Sequence, residues 1–257
     1  RNMKPLEIKH RVIGGGEPLI CVPVVEQDAQ SVIREITYLS QSTADMIEWR
    51  VDAFRDFTDY NAIRSVFEAV APLLGEKLFL YTFRTAHQGG MAQVKAEQLD
   101  DLHDLAAESG CVDLVDLEFF EEDRPLHKIK RLREMGVSVI ASHHDFEQTP
   151  SPEVMKMLLE KMCAGGADIV KLAVMPQNYK DVLNLLDVTA QFREENPDTP
   201  VITMSMGSLG GISRISGETF GSCVTFGAHE KPSAPGQFAM KELRQMLDTI
   251  HASSQIQ

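Results

Sequence analysis

DIVKLAVM, residues 168–175, is a strand-like run with one residue out of keeping. Ile169, Val170, Leu172, Ala173 and Val174 make a nearly continuous apolar segment, the pattern of a parallel strand covered on both faces. Lys171 sits in its middle and must leave water with its neighbours. Side chains alternate along a strand, so Lys171 shares a face with Ile169 and Ala173, and the small Ala173 leaves room beside the ammonium for a bound molecule.

Working outward, seven more short apolar or β-branched runs share this character. LICVPVV from Leu19, DMIEWRV from Asp45, KLFLYTFR from Lys77, VDLVDLEF from Val112 and VSVIASHHD from Val137 precede it; PVITMSM from Pro200 and SCVTFG from Ser222 follow. Between them lie segments with helical spacing: Ile63, Val66, Phe67, Val70 and Leu74; Met155, Leu158, Leu159 and Met162; Val182, Leu185, Leu186 and Thr189. Gly110, Gly136 and Gly165 fall where a left-handed residue would end each helix before the next strand. Eight alternating βα units predict a single (βα)8 barrel over residues 1–257, with a doubly wound open sheet as the alternative. Ahead of the first strand, Leu6 to Val12 alternate weakly and lead into Gly14, Gly15 and Gly16, which predicts a short β-hairpin closing the barrel floor. The three glycines precede a strand instead of following one, so they read as a turn and not as a phosphate cradle.

Twenty-five basic residues against 38 acidic ones give a formal charge of -13, which argues against general affinity for nucleic acid or anionic membrane. An anionic ligand must be met by locally placed cations. Cys21, Cys111, Cys163 and Cys223 are far apart, without zinc-ligand spacing, and read as reduced thiols. With no basic-then-apolar leader and no apolar run near about 18 residues, the expected location is the cytoplasm.

In such a barrel the site is built at the carboxyl ends of the strands. There the second run carries EWRVD, the third FR, the fourth DLE, the fifth SHHD and the sixth Lys171. Glu48, Arg50 and Asp52 share one face, and Ser142 shares one with His144, opposite His143. One reading is a buried salt-bridge layer in which Glu48 and Asp116 neutralise Lys171 and the arginines. The other starts from lysine chemistry: burial and nearby Arg50 and Arg84 favour the neutral amine, a nucleophile toward a ketone or aldehyde. His144 on the preceding strand is then placed to take the proton that an imine loosens on the adjacent carbon. A metal held by His143, His144, Asp145 and Glu118 is disfavoured, because adjacent histidines point to opposite faces of a strand. GSLGG from Gly207 lies where barrels often bind phosphate, and Arg214 beside it would serve a carboxylate equally well.

Taken together, EWRVD (48–52), FRTAHQGG (83–90), SHHDF (142–146), KLAVMP (171–176), MSMGSLGGISRISGETFGS (204–222) and SAPGQ (233–237) resemble the type I 3-dehydroquinate dehydratases. The resemblance runs in family order over nearly the whole chain. It implies a (βα)8 barrel, a homodimer, and a reaction on the small molecule 3-dehydroquinate that needs neither metal nor organic cofactor. By this likeness Lys171 forms an imine with the substrate ketone, and His144 takes the neighbouring proton and then assists departure of water. The resemblance also implies that Arg214 pairs with the substrate carboxylate while Glu48, Arg50 and Arg84 hold its hydroxyls and the reacting region. Met206 and Phe226 match positions lining the pocket, and Ser233 and Gln237 lie in a lid loop, GAHEKPSAPGQ.

One departure stands out. Before the glycine pair of FRTAHQGG the family places glutamate facing the catalytic histidine, and this sequence has Gln88. An amide hydrogen-bonds without supplying negative charge, so a lower histidine pKa and reduced turnover are expected. Two alternatives remain at this point. One is a Schiff-base aldolase acting on a sugar phosphate, which would need a phosphate site at GSLGG; the other is a barrel that binds the metabolite without useful turnover.

Overall fold

The computed structural model describes residues 6–256; the remaining residues of the expected 1–257 domain lie outside the described residues. All eight predicted strands are present: β3 (Leu19–Val24), β4 (Met46–Arg50), β5 (Leu78–Thr82), β6 (Leu114–Glu118), β7 (Ser138–Asp145), β8 (Ile169–Val174), β9 (Val201–Ser205) and β10 (Val224–Ala228). They follow two short strands, β1 (Leu6–Ile8) and β2 (Arg11–Ile13), and precede a two-residue strand, β11 (Phe238–Ala239), inside the polar loop after β10. From β3 to β9 each strand pairs in parallel with the next, and β10 returns to β3 through Val224↔Leu19 and its neighbours.

The last seam, between β9 and β10, is thin. One bridge joins Val201 to Ser222, with Cys223 N donating to the Val201 carbonyl at 2.9 Å. Beyond it the Ser222 hydroxyl replaces a strand, accepting from Thr203 N at 3.0 Å and donating to Thr203 O at 3.2 Å. The short helix Gly211–Ile215 enters here, and β11 takes the free edge of β10 at Gly227 and Ala228.

Two apolar layers flank the strands. Inward side chains, among them Cys21, Met46, Leu78, Leu114, Ile140, Ile169 and Ile202, fill the lower barrel, and outward ones such as Trp49, Phe79 and Tyr81 pack beneath the helices. Four of the helices start at side-chain caps: Asp28 accepts from Ser31 N, Asp59 from Ala62 N, Ser151 from Val154 N and Asn178 from Asp181 N.

β1 and β2 form the expected hairpin at the floor, turning through left-handed Lys9 and His10. Ile13 is fully buried there with the lowest interior residues, and Lys9 and Arg11 tie the hairpin to the Lys77 and Glu76 carbonyls. Two local expectations need correction. Asp52 lies past β4 in a single 3-10 turn, because its carboxylate is drawn back onto Arg50. After the helix Pro152–Ala164 the left-handed residue is Gly166 and not Gly165, whose missing side chain admits the Phe119 ring.

Candidate active site

The mouth of the barrel holds a small, partly open cavity. Strand alternation brings Glu48 and Arg50 of β4, His144 of β7, and Lys171 and Ala173 of β8 into it; Arg84, just after β5, and Phe226 of β10 join them. Met206 lines it from the end of β9, and Ser233 and Gln237 close it from the loop after β10. Met204, Phe146, Ala234 and Gly89 also line it, although sequence reasoning assigned none of them individually. Two expected residues stand one layer back. Gln88 lies behind His144, and Arg214 packs its Nη1 against the Met204 sulfur at 3.9 Å.

The salt-bridge layer exists but stops short of Lys171. Arg84 forms a fork with Asp116 at 2.9 Å for each arm, and its Nη1 also reaches Glu118 at 2.9 Å. Burial opposes the Arg84 cation, yet Asp116 and Glu118 more than compensate and raise its pKa. Arg50 is held by Asp52 through two 2.8 Å bonds, and Glu48 accepts from Thr82 Oγ1 at 2.8 Å. Asp52 also accepts from the Arg84 and Met91 amides, so the loop after β5 is folded back on β4. The glycine pair makes that path passable: a side chain on Gly90 would meet the Arg84 carbonyl, and Gly89 sits at φ +90 against the Phe146 ring.

Lys171 has no hydrogen-bond or ion-pair partner among the described residues; its Nζ lies 4.2 Å from the centroid of the Phe226 ring. Burial lowers its pKa first and Arg84 second, against partial opposition from Asp116 and Glu48. His144 pairs in register with Ala173, two residues above the Ser142↔Lys171 pair, so it overhangs the lysine from the adjacent strand. Burial drives its pKa well below the ordinary value, with Arg84, Lys171, His143 and Arg50 adding to the effect. Gln88 Oε1 accepts from His144 N at 2.8 Å and lies 3.3 Å from its Nδ1. An amide oxygen only accepts, so this contact selects the tautomer with the proton on Nδ1 and leaves Nε2 as a free base. The ring is held flat against Phe146, 6.1 Å between centroids and 11° between planes. His143 points to the other face and meets Phe120 edge-on at 5.3 Å.

Arg214 is, after Lys171, the second buried cation without a carboxylate partner among the described residues. It is 2% exposed, burial alone lowers its pKa to about 10, and its one strong contact is from Nη2 to the Pro235 carbonyl at 2.9 Å. The Pro235 carbonyl also accepts from Gly207 N at 3.1 Å, so the loop lies across GSLGG and takes up the first amide of that motif. Ser233 and Gln237 clasp each other through two 2.9 Å bonds. Among the described residues no group of three or more His, Cys, Asp or Glu side chains is placed to hold a metal ion, and no helix is long and apolar enough to cross a membrane.

Residues 20–254 match the family described as type I 3-dehydroquinase. A 3-dehydroquinate dehydratase of Syntrophotalea carbinolica is 41% identical over 250 residues, 97% of this chain and 99% of that protein. One of Listeria monocytogenes is 42% identical with the same coverage. Among solved structures, the type I 3-dehydroquinate dehydratase of Clostridium difficile with covalently modified comenic acid matches with a TM-score of 0.94 at 38% identity, covering 98% of this chain and 99% of that one. That of Geobacillus kaustophilus matches with a TM-score of 0.93 at 35% identity, over 97% of each chain. The chain therefore belongs to the type I 3-dehydroquinase family.

Proposed function

We propose that this protein dehydrates 3-dehydroquinate to 3-dehydroshikimate through an imine on Lys171. The observation that carries the reading is a buried lysine without an acid partner, sharing one cavity with a histidine whose Nε2 is free. The neutral amine attacks the substrate ketone and expels its oxygen as water. The resulting cationic imine draws electrons from the adjacent carbon. His144 takes a proton from that carbon and returns it to the departing hydroxyl, which leaves as a second water. Hydrolysis of the imine consumes one water, releases the product and restores Lys171, so the net change is the loss of one water.

Arg214 is read as the carboxylate partner: a buried guanidinium that meets a carbonyl and a thioether but no acid among the described residues is ready for a bidentate anion. Glu48, Arg50 and Arg84 hold the hydroxyls and the reacting region, with Met206 and Phe226 against the ring and the Ser233–Gln237 segment as its cover. The Gln88 amide orients His144 without countering its positive form, so turnover is lower than a glutamate there would allow. The engagement of Gly207 N by Pro235 weighs against a phosphate site in this loop, and with it against an aldolase of sugar phosphates. We also read the chain as a cytoplasmic homodimer, supported by the family resemblance and by Leu126, Met157 and Leu183, large apolar residues exposed on successive helices.

Borohydride reduction in the presence of 3-dehydroquinate, followed by peptide mass analysis, tests the reaction. The expected result is a substrate-dependent mass increase on the Lys171 peptide, and its absence rejects the imine.

A further inference from the structure

Glu121 lies outside the cavity, and the mechanism above gives it no task. It sits in the 3-10 turn Phe119–Glu121 that follows β6, and its Oε1 accepts from Gln88 Nε2 at 3.2 Å. Its other oxygen faces His87 Nδ1 at 3.5 Å. The far end of the same Gln88 amide is the oxygen that accepts from the backbone and faces the ring of His144. An amide is a donor at one end and an acceptor at the other, so a carboxylate behind it admits only the NH2 end and turns the oxygen forward.

We propose that Glu121 is a positioning residue for the dehydration, holding the Gln88 amide with its oxygen toward His144 so that the ring proton stays on Nδ1 and Nε2 stays free. The proposal rests on the reading of His144 as the base. Arg84, Lys171, His143 and Arg50 are the charged groups that act most strongly on His144, and none of them supplies negative charge; Glu48 shares the cavity from β4, where it accepts from Thr82. Glu121 in turn is faced by His87 and His143, with Asp145 beside His143. The family's carboxylate is therefore not absent here: negative charge sits one hydrogen bond further out, with an amide between it and the imidazole. Coulomb attraction falls with that added distance, so its support for the protonated ring is weaker than from direct contact.

A consequence separates this arrangement from a simple loss of glutamate. Gln88→Glu alone would set two carboxylates at about the 3.2 Å spacing now held by the amide, and like charges that close disfavour double ionisation. Full recovery of a direct carboxylate needs the exchange Gln88→Glu with Glu121→Gln.

The test compares the wild-type chain with Glu121→Leu, Gln88→Glu and the double exchange. Its readouts are kcat against pH, ring nitrogen-15 NMR of His144, and borohydride labelling of Lys171 with 3-dehydroquinate. Glu121→Leu is expected to leave the labelling intact, lower kcat on the order of tenfold and shift the ring from Nδ1–H toward a mixture of tautomers. The double exchange is expected to turn over faster than Gln88→Glu alone. An unchanged tautomer and kcat in Glu121→Leu, or a Gln88→Glu variant as fast as the double exchange, overturns the proposal. Should the leucine variant fail to fold, Glu121→Lys at this partly exposed site serves instead, since an ammonium cannot accept from Gln88. A wild-type chain that is never labelled on Lys171 rejects the imine chemistry, while the ring tautomer of the ligand-free protein still decides the role of Glu121.

Discussion

The two ends of the barrel use the same residue types differently. At the floor, Asp45, Asp113 and Asp168 recur before alternate strands, and each accepts from the second amide of the preceding one: Ile20 N at 2.9 Å, Phe79 N at 2.8 Å and Val139 N at 2.8 Å. Each also faces a cation: Arg11 and Arg244 at Asp45, Lys9 at Asp113, Arg133 at Asp168. At the mouth, Arg84 and Arg50 are paired in the same manner, but Lys171 and Arg214 are left without acids. Charge at the floor is matched and holds the strands in register. Charge at the mouth is left open in two places, the two that the proposed reaction assigns to the imine and to the substrate carboxylate.

The sharpest way to break this contrast is at Lys171. Lys171→Ala, which removes the amine, should cut kcat at least about 10⁴-fold and abolish borohydride labelling, with the fold retained by circular dichroism. His144→Ala comes next, with kcat expected to fall roughly 10²- to 10⁴-fold in a steady-state assay. Arg214→Leu should act on affinity, raising KM about 10- to 100-fold for the loss of a charge-assisted contact. At the floor the pattern reverses: Asp113→Ala, which strands the Phe79 amide, should cost about 1–3 kcal/mol in denaturant unfolding and leave kcat unchanged. A loss of kcat there without a loss of stability would erase the distinction between the two ends.

The smallest effect concerns His103, which is 1% exposed and whose ring nitrogens have no hydrogen-bond partner among the described residues. Burial, with Lys128 adding to it, holds its pKa well below the ordinary 6.5. The folded state thus binds fewer protons than the unfolded state between that lowered value and 6.5, so stability rises with pH across this window and falls as pH drops through it. His103→Leu should flatten the slope of melting temperature against pH below about 6.5 without altering kcat.

The strands were legible because a parallel strand buried on both faces needs an apolar residue at nearly every position, as in Ile20 to Val24 and Val201 to Met204. Lys171 was legible for the same reason, as the exception within such a run. The Arg84 cage was not, since it depends on β5, β6 and β7 aligning Arg84 with Asp116, Glu118 and Ser142, side chains up to 58 residues apart. β11 was hidden because two residues cannot show a period, and Glu121 because it follows its strand in a polar turn where a charged residue is unremarkable. Gln88 drew attention only against a family pattern; nothing in FRTAHQGG itself says which atom of the amide faces the histidine.

The seam between β9 and β10 has a kinetic meaning. A ring of parallel strands resists opening because every backbone bond is supported on both sides, but here one hydroxyl, that of Ser222, stands where several amides would otherwise pair. The barrel behaves as a split ring with a small clasp. Local opening should begin there, and amide hydrogen exchange in Thr203 and its neighbours should outpace that in β4 or β7. Because Arg214 and the covering loop stand on that side, the flank proposed to hold the substrate's carboxylate is also the flank free to breathe when product must leave.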